Sequence, residues 1–431
     1  MEKISTNLVK LAEKAQEQGE KIYVVGGYIR NNLLNSYKTD IDLSGTCSPS
    51  EIKKIAGQCG YSCQVVNEKL GACLLTGFGE QFEYTSFRRD IYPEGGFHTP
   101  ERVEFVKDIQ VDVARRDFNV NTLYYDIVEN KYIDIFNAKK DIKHKLIKCI
   151  ISPRHVFSSD GLRILRLIRF ACELDLNIEN ETFKAASRYA FQLKDISKER
   201  ILKELKLMIA SDSCNEYDGK AHVRALRLIN KLGLWRYIFN SDYKKFKVVL
   251  RGEVFNMYKN CKPEDRFNAF ICLVFYSIFK SFAFNDQLIE FYLNNLLGVD
   301  GLKIQKNIPA IRSMIFALRE ITNKNVSVYE HNRQSIVFNN LSDSAKAIIK
   351  SGFDMQEIEE HIFELQANKV PFKISDVDIT SKELMELGVV NKALSKVFGL
   401  ILFELISETI KNEKEDIVKF VTENLKDYIR K

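Results

Sequence analysis

The chain has 431 residues, 45% hydrophobic and 28% charged, with a formal net charge of +6, which is the make-up of an ordinary globular protein of roughly three domains at about 150 residues each. No apolar run approaches about 18 residues, which excludes a helical membrane span; the nine cysteines contain no CxxC pair, Cys59 and Cys63 being the closest, which excludes a disulfide framework or zinc site and predicts reduced thiols. Residues 1–20 are polar with helical periodicity and predict neither a signal peptide nor a transit segment, so a cytoplasmic location is expected; the mild positive charge is compatible with nucleic acid without establishing it.

In chain order, an apolar strand at 22–25 runs into Gly26-Gly27-Tyr28-Ile29-Arg30, a short amphipathic helix follows, and a second strand at 39–43 reads Thr39-Asp40-Ile41-Asp42-Leu43. Strand alternation predicts Asp40 and Asp42 on one face and Ile41 and Leu43 on the other. Two adjacent carboxylates repel, and a divalent cation between them removes the repulsion; oxygen ligands beside phosphate suit magnesium. The glycines permit close backbone approach, and the helix after them points its N-terminus at an anion. Strand–GG–helix–strand–DxD therefore predicts a nucleoside triphosphate and metal site, although a lone Gly-Gly or Asp-x-Asp is ordinarily a turn or a solvated strand end.

Further strands are expected at 62–66, 72–76, 82–87 and 102–106, with a turn-rich loop at 88–100. Glu83 is a candidate third carboxylate, with a salt-bridged or exposed strand glutamate as its alternative. Arg115-Arg116-Asp117 reads as a solvated charge cluster on its own; beside a triphosphate the guanidinium groups acquire phosphate oxygens to bind. Asn121 lies in a short helix that follows.

From about residue 152 the pattern is helical, with helices expected at 158–174, 181–193, 197–210, 220–232, 266–280, 286–297 and 390–409, and boundaries near 151, 213 and 370. Pro371 precedes a helix start at Thr380. The segment Phe157-Ser158-Ser159-Asp160-Gly161-Leu162-Arg163 is read as the start of one buried helix with serine caps, interrupted by Asp160, Arg163, Arg166 and Arg169 at intervals of three. Adenine and cytosine both present an amino donor beside a ring-nitrogen acceptor. Asp160 accepts from the first and Arg163 donates to the second, whereas guanine and uracil present the opposite pattern. The alternative is an internal Asp160–Arg163 ion pair with the outer arginines reaching solvent. Residues 139–169 hold nine Lys/Arg against Asp141 and Asp160, which predicts a positive cleft or a charge-rich surface.

These residues resemble class II CCA-adding tRNA nucleotidyltransferases, which share a fold with bacterial poly(A) polymerases. Gly26-Gly27-Tyr28-Ile29-Arg30 with Asp40-Ile41-Asp42, Arg115-Arg116-Asp117-Phe118-Asn119-Val120-Asn121, Asp160-Gly161-Leu162-Arg163, and Lys198-Glu199-Arg200 with Glu204-Leu205 resemble four of the family's motifs, and the segment from Asp378 resembles its tail. The resemblance implies an α+β protein: a polymerase-beta-like head (1–151) followed by an all-helical neck (152–212), body (213–370) and tail (371–431). It implies magnesium on Asp40 and Asp42; Glu83, read from strand alternation, is the further candidate catalytic carboxylate. It implies nucleotide contacts from Gly26, Gly27, Arg30, Arg116 and Asn121, and base contacts from Asp160, Arg163, Arg166 and Arg169. ATP and CTP are the implied substrates, and the tRNA 3′ end and elbow the implied partners, with no membrane and an open oligomeric state.

Three positions depart from the family: its aspartate after Arg30 is Asn31, its glutamate before Asp160 is Ser159, and its Asp-Pro-x-Gly-Gly reads Asp134-Ile135-Phe136-Asn137-Ala138. Retention of a loop at 88–100 favours adding the terminal A as well as CC, although His98 and Thr99 replace the basic residues near its end. A poly(A) polymerase, a partial CC- or A-adding enzyme, a catalytically weak RNA-binding paralogue and a transferase for small-molecule acceptors are the alternatives.

Overall fold

Ile22–Val25 is buried at every position, as expected for β-branched and aromatic residues in an inner strand covered on both faces. The computed structural model describes residues 4–34, 40–91, 101–212, 221–238, 247–279, 287, 308–323 and 327–429. Helix α1 (Thr6–Glu17) leads to β1 (Ile22–Val25), α2 (Gly27–Leu33) and β2 (Asp42–Gly45). Helix α3 (Pro49–Gln58) precedes β3 (Ser62–Asn67), β4 (Ala72–Gly77) and β5 (Glu80–Ser86). Then come β6 (Arg88–Ile91), β7 (Arg102–Phe105), α4 (Ile109–Ala114), β8 (Tyr124–Asp126), β9 (Lys131–Ile133), α5 (Ala138–Lys143) and β10 (Leu146–Ile147).

The main sheet runs β3-β4-β5-β2-β1-β8-β9. Every neighbouring pair is antiparallel except β2–β5, which is parallel. That parallel pair sets Asp42 opposite Glu83. Beside the sheet, Tyr23, Val25, Phe87, Val113 and Tyr124 form a buried cluster, with Tyr23 and Phe87 stacked at 5.7 Å. Helix α1 buries Leu8, Leu11, Ala12 and Ala15, one stripe at helical spacing, and Ser5 caps it by accepting from Leu8 N–H at 3.2 Å.

The helical part begins with α6 (Pro153–Ser159) and α7 (Leu162–Glu173), followed by β11 (Asn177–Ile178), α8 (Asn180–Arg188), α9 (Lys198–Ala210), α10 (Ala221–Leu232) and α11 (Trp235–Ile238). The single helix expected at 158–174 is broken: Asp160 is extended (φ −151°) and ends α6, and Gly161 opens α7. Gly161 is needed at this junction, because a Cβ there would lie 2.7 Å from the main-chain carbon of Gln192. The helix expected at 181–193 divides likewise into α8 and a 3-10 turn, Ala190–Asp195. As expected from its apolar residues, α7 is buried along most of its length. The helix expected at 197–210 is α9, capped by Ser197.

The chain divides into two compact units, 1–247 and 248–431. In the second, helices Leu394–Ile406 and Lys414–Asn424 enclose Val397, Ile401, Leu405, Ile417 and Val421, and Thr380 and Glu383 form a capping box at the helix start read from the sequence. The expected boundary at 213, the helix at 286–297 apart from residue 287, and positions 92–100 of the expected loop lie outside the described residues. Residues 88–91 of that loop are strand β6.

Candidate active site

At the end of β1 the chain turns through Gly26, whose φ of 70° lies in the region that favours glycine, and enters α2. Arg30 on α2 is buried; its Nε donates to Asn31 Oδ1 (3.0 Å) and its Nη1 to Asn121 Oδ1 (2.5 Å). Its guanidinium lies 5.3 Å from the Phe170 ring centre, on α7.

Asp42 opens β2, and Asp40 precedes the strand, so the strand-alternation argument applies to Asp42 alone. Asp40, Asp42 and Glu83 nonetheless line one cavity. Burial, then the neighbouring Glu83 and Asp40 charges, push the Asp42 carboxyl up to about 6, against the opposing pull of Arg116 and Arg30. Among the described residues no three His, Cys, Asp or Glu side chains form a ready cage for a metal. An oxygen-only, incomplete donor set of this kind fits a hard divalent cation that would complete its shell with other oxygen ligands.

The cavity measures about 900 Å³, within the roughly 300–1,000 Å³ of small-molecule sites. Gly26, Gly27, Arg30, Arg116 and Asn121 line it with the carboxylates; Asp160, Arg163, Arg166 and Arg200 line it from the helical segment. Arg116 donates to the Tyr124 hydroxyl (2.8 Å) and pairs with Asp112 (3.3 Å). Tyr124 donates in turn to Asp112, which is fully buried. Burial alone would raise the Asp112 carboxyl, but Arg115, Arg116 and the Tyr124 hydroxyl outweigh it and hold it low. Arg116 is thus braced from behind where it lines the cavity.

Asn121 Nδ2 donates to Asp117 Oδ1 (3.0 Å), and Arg166 donates to Asp117 Oδ2 through Nε and Nη2, both at 2.8 Å. Despite burial, Arg166, Asn121 and Arg163 hold the Asp117 carboxyl well below the usual range. A continuous polar chain therefore runs from Arg30 through Asn121 and Asp117 to α7.

The alternative of an internal Asp160–Arg163 pair is overturned, and Arg169 lies outside the cavity lining. Asp160 pairs with Arg200 (2.8 Å) rather than with Arg163, and its Oδ1 accepts from Leu162 N–H (3.0 Å). Arg163 donates to Val156 O, Ser159 Oγ and Arg115 O at 3.4, 3.2 and 3.0 Å. Arg169 is absent from the cavity lining: it pairs with Glu204 (2.7 Å) and Glu173 (3.1 Å), because its position on α7 directs it towards α9. The basic stretch 139–169 is also less positive than its sequence, since Lys145 and Lys148 pair with Asp175 and Asp141, and Arg166 with Asp117.

The three departures from the family pattern have local answers. Asn31 accepts from Arg30, and Ser159 accepts from Arg163. Asn137 adopts φ 55°, a left-handed conformation asparagine tolerates better than most residues, and so serves where the family has a glycine. Arg88, Asp90, Asp117 and Arg200 also line the cavity and were not assigned to it from the sequence. Arg88 and Asp90 pair at 2.9 Å, an i, i+2 spacing on one strand face that alternation could have revealed; Arg200 reaches Asp160 across 40 residues without a local signal.

Residues 22–148 match the family model described as the poly A polymerase head domain, and 175–242 the one described as a probable RNA and SrmB-binding site of polymerase A. The CCA-adding enzyme of Ligilactobacillus salivarius is 26% identical over 424 residues, spanning 95% of this chain and 94% of its own. That of Bacillus licheniformis is 28% identical over 391 residues, spanning 89% of each. The crystal structure of the Bacillus stearothermophilus CCA-adding enzyme in complex with CTP superposes with a TM-score of 0.66 at 19% identity, covering 98% of this chain and 99% of that one, which is a likeness of fold.

Proposed function

We propose, from the premise that the chain belongs to the tRNA nucleotidyltransferase/poly(A) polymerase family, that it adds C, C and A to the 3′ end of tRNA from CTP and ATP, releasing pyrophosphate without a nucleic-acid template. The observation that carries this is one cavity holding both a carboxylate wall (Asp40, Asp42, Glu83) and a base-reading wall (Asp160, Arg163, Arg166). Relatives spanning nearly the whole chain support the tRNA reading over a head domain acting alone.

In this reading Asp40 and Asp42, with Glu83 beside them, hold magnesium; when bound, the ion supplies charge neutralisation for the triphosphate and acidifies the attacking 3′-hydroxyl. Arg30 and Arg116 face the phosphates with positive charge, Arg116 kept in place by Tyr124 and Asp112. Asp160 accepts from the amino group shared by cytosine and adenine, and guanidinium groups beside it donate to the ring nitrogen. Residues 1–151 serve as the head, 152–212 as the base-reading neck, and 213–370 and 371–431 as body and tail on tRNA. A cytoplasmic site of action belongs to this reading. No described helix is long and apolar enough to cross a membrane.

The head-domain description keeps poly(A) polymerase as the second reading. Incubation with magnesium and single nucleotides, on tRNA ending before CCA, after C and after CC, separates the two. Incorporation that stops at CCA is expected. Long adenylate tails would overturn the tRNA reading, and no incorporation from any acceptor would leave a binding paralogue.

A further inference from the structure

We infer that Phe170 is a positioning residue of the cavity: its aromatic face seats the Arg30 guanidinium for the phosphates and ties it to Arg166 on α7. The inference deepens the nucleotidyl-transfer reading and rests on it.

Five side chains close into a circuit, and all five line the cavity. Arg30 Nη1 donates to Asn121 Oδ1 at 2.5 Å, and Asn121 Nδ2 donates to Asp117 Oδ1 at 3.0 Å. Arg166 Nε donates to Asp117 Oδ2 at 2.8 Å. From Arg166 the circuit returns to Arg30 through one ring: the two guanidinium carbons lie 5.2 and 5.3 Å from the Phe170 ring centre. Arg30 sits on α2, whereas Arg166 and Phe170 sit on α7, so the ring joins the sheet-bearing part of the first unit to its helical part.

A third guanidinium, that of Arg169, lies 4.3 Å from the same ring centre. Three cations around one buried ring repel one another. Carboxylates balance two of them: Asp117 pairs with Arg166, and Glu204 and Glu173 pair with Arg169. The bonds from Arg30 to Asn31 and Asn121 end on neutral amide oxygens. An aromatic face carries partial negative charge, which attracts a planar guanidinium and does so more strongly away from water. Phe118, fully buried, meets the Phe170 ring edge-on at 6.3 Å and fixes its attitude. Leucine would fill much of this space but offers no such face. Without the ring, Arg30 keeps its charge and loses a contact that fixes its place, so the phosphates meet a less ordered cation.

The test compares Phe170→Leu, Phe170→Tyr, Arg30→Gln and the Arg30→Gln/Phe170→Leu double variant, using full-length protein with magnesium. Equilibrium titration with inorganic pyrophosphate isolates the phosphate contacts, and incorporation of CTP and ATP on tRNA acceptors gives kcat and KM. Phe170→Leu is expected to weaken pyrophosphate and CTP binding by the same factor, about 5- to 30-fold, the size of one desolvated cation–aromatic contact. The loss should fall on KM, and equally for CTP and ATP, because the two share their phosphates. Phe170→Tyr keeps the aromatic face and should stay within about twofold of wild type. In the Arg30→Gln background Phe170→Leu should add less than about twofold. Unchanged pyrophosphate affinity in Phe170→Leu, or a lower melting temperature as its only effect, would overturn the assignment while leaving nucleotidyl transfer standing. So would a loss in Phe170→Tyr as large as in Phe170→Leu, or a full further loss in the Arg30→Gln background. A wild-type chain that neither incorporates nor binds CTP would overturn both.

Discussion

On the sheet side of the cavity Asp40, Asp42 and Glu83 stand together, and burial beside Glu83 pushes the Asp42 carboxyl up to about 6. Facing α7, Asp117 is more deeply buried, yet Arg166 of α7 grips it through two nitrogens and its carboxyl is held far below the ordinary range. The two walls differ in who balances the charge. Towards α7 the charges are balanced internally, through Asp117–Arg166 and Asp160–Arg200. The carboxylate wall keeps a negative excess that a bound cation would balance. An unmet charge marks where an ion and its chemistry belong; a met one marks a part that aims other groups.

This contrast predicts effects of different kinds and sizes. The largest is expected at Asp42: Asp42→Ala should lower single-turnover incorporation by roughly 10³-fold while tRNA affinity stays unchanged. A parallel loss of tRNA affinity would show that Asp42 serves the fold, and the contrast would break.

Asp117→Ala is next. It leaves Arg166, partly buried, with only the longer contact to Glu204 (3.8 Å), and should destabilise the first unit by about 3 kcal/mol in chemical denaturation. A cost within about 1 kcal/mol would place this pair with surface salt bridges and remove its positioning role.

The smallest expected effect is on the pH dependence of stability. An exposed aspartate loses its proton near 3.8, whereas folded Asp42 keeps it to about 6. The folded state thus binds more protons than the unfolded one across that window, and the metal-free protein should lose stability as pH rises through it. Asp42→Asn should flatten this segment of the melting curve against pH. Magnesium should raise the melting temperature more at pH 7 than at pH 5. Equal shifts at the two pH values would separate ion binding from Asp42.

The local signals in the sequence proved dependable where the chemistry is local. Gly26-Gly27 after an apolar strand, the helix start at Thr380, and the switch from strand to helix period after about 150 all stand in the structure, and Asp40 and Asp42 line one cavity. These features depend on backbone conformation and on nearest neighbours along the chain, which sequence spacing encodes directly.

What the sequence did not determine depends on residues distant in number. The Asp42–Glu83 register was decided by a parallel pairing across 41 residues, the need for glycine at 161 by the close approach of the Gln192 backbone, and the guanidinium on Asp160 by a helix 40 residues away. Helical spacing put Asp160, Arg163, Arg166 and Arg169 in one series, but the tertiary structure gave each a different partner. A side chain's charge is written in the sequence. Which opposite charge meets it, and whether any does, is settled only when separate elements pack.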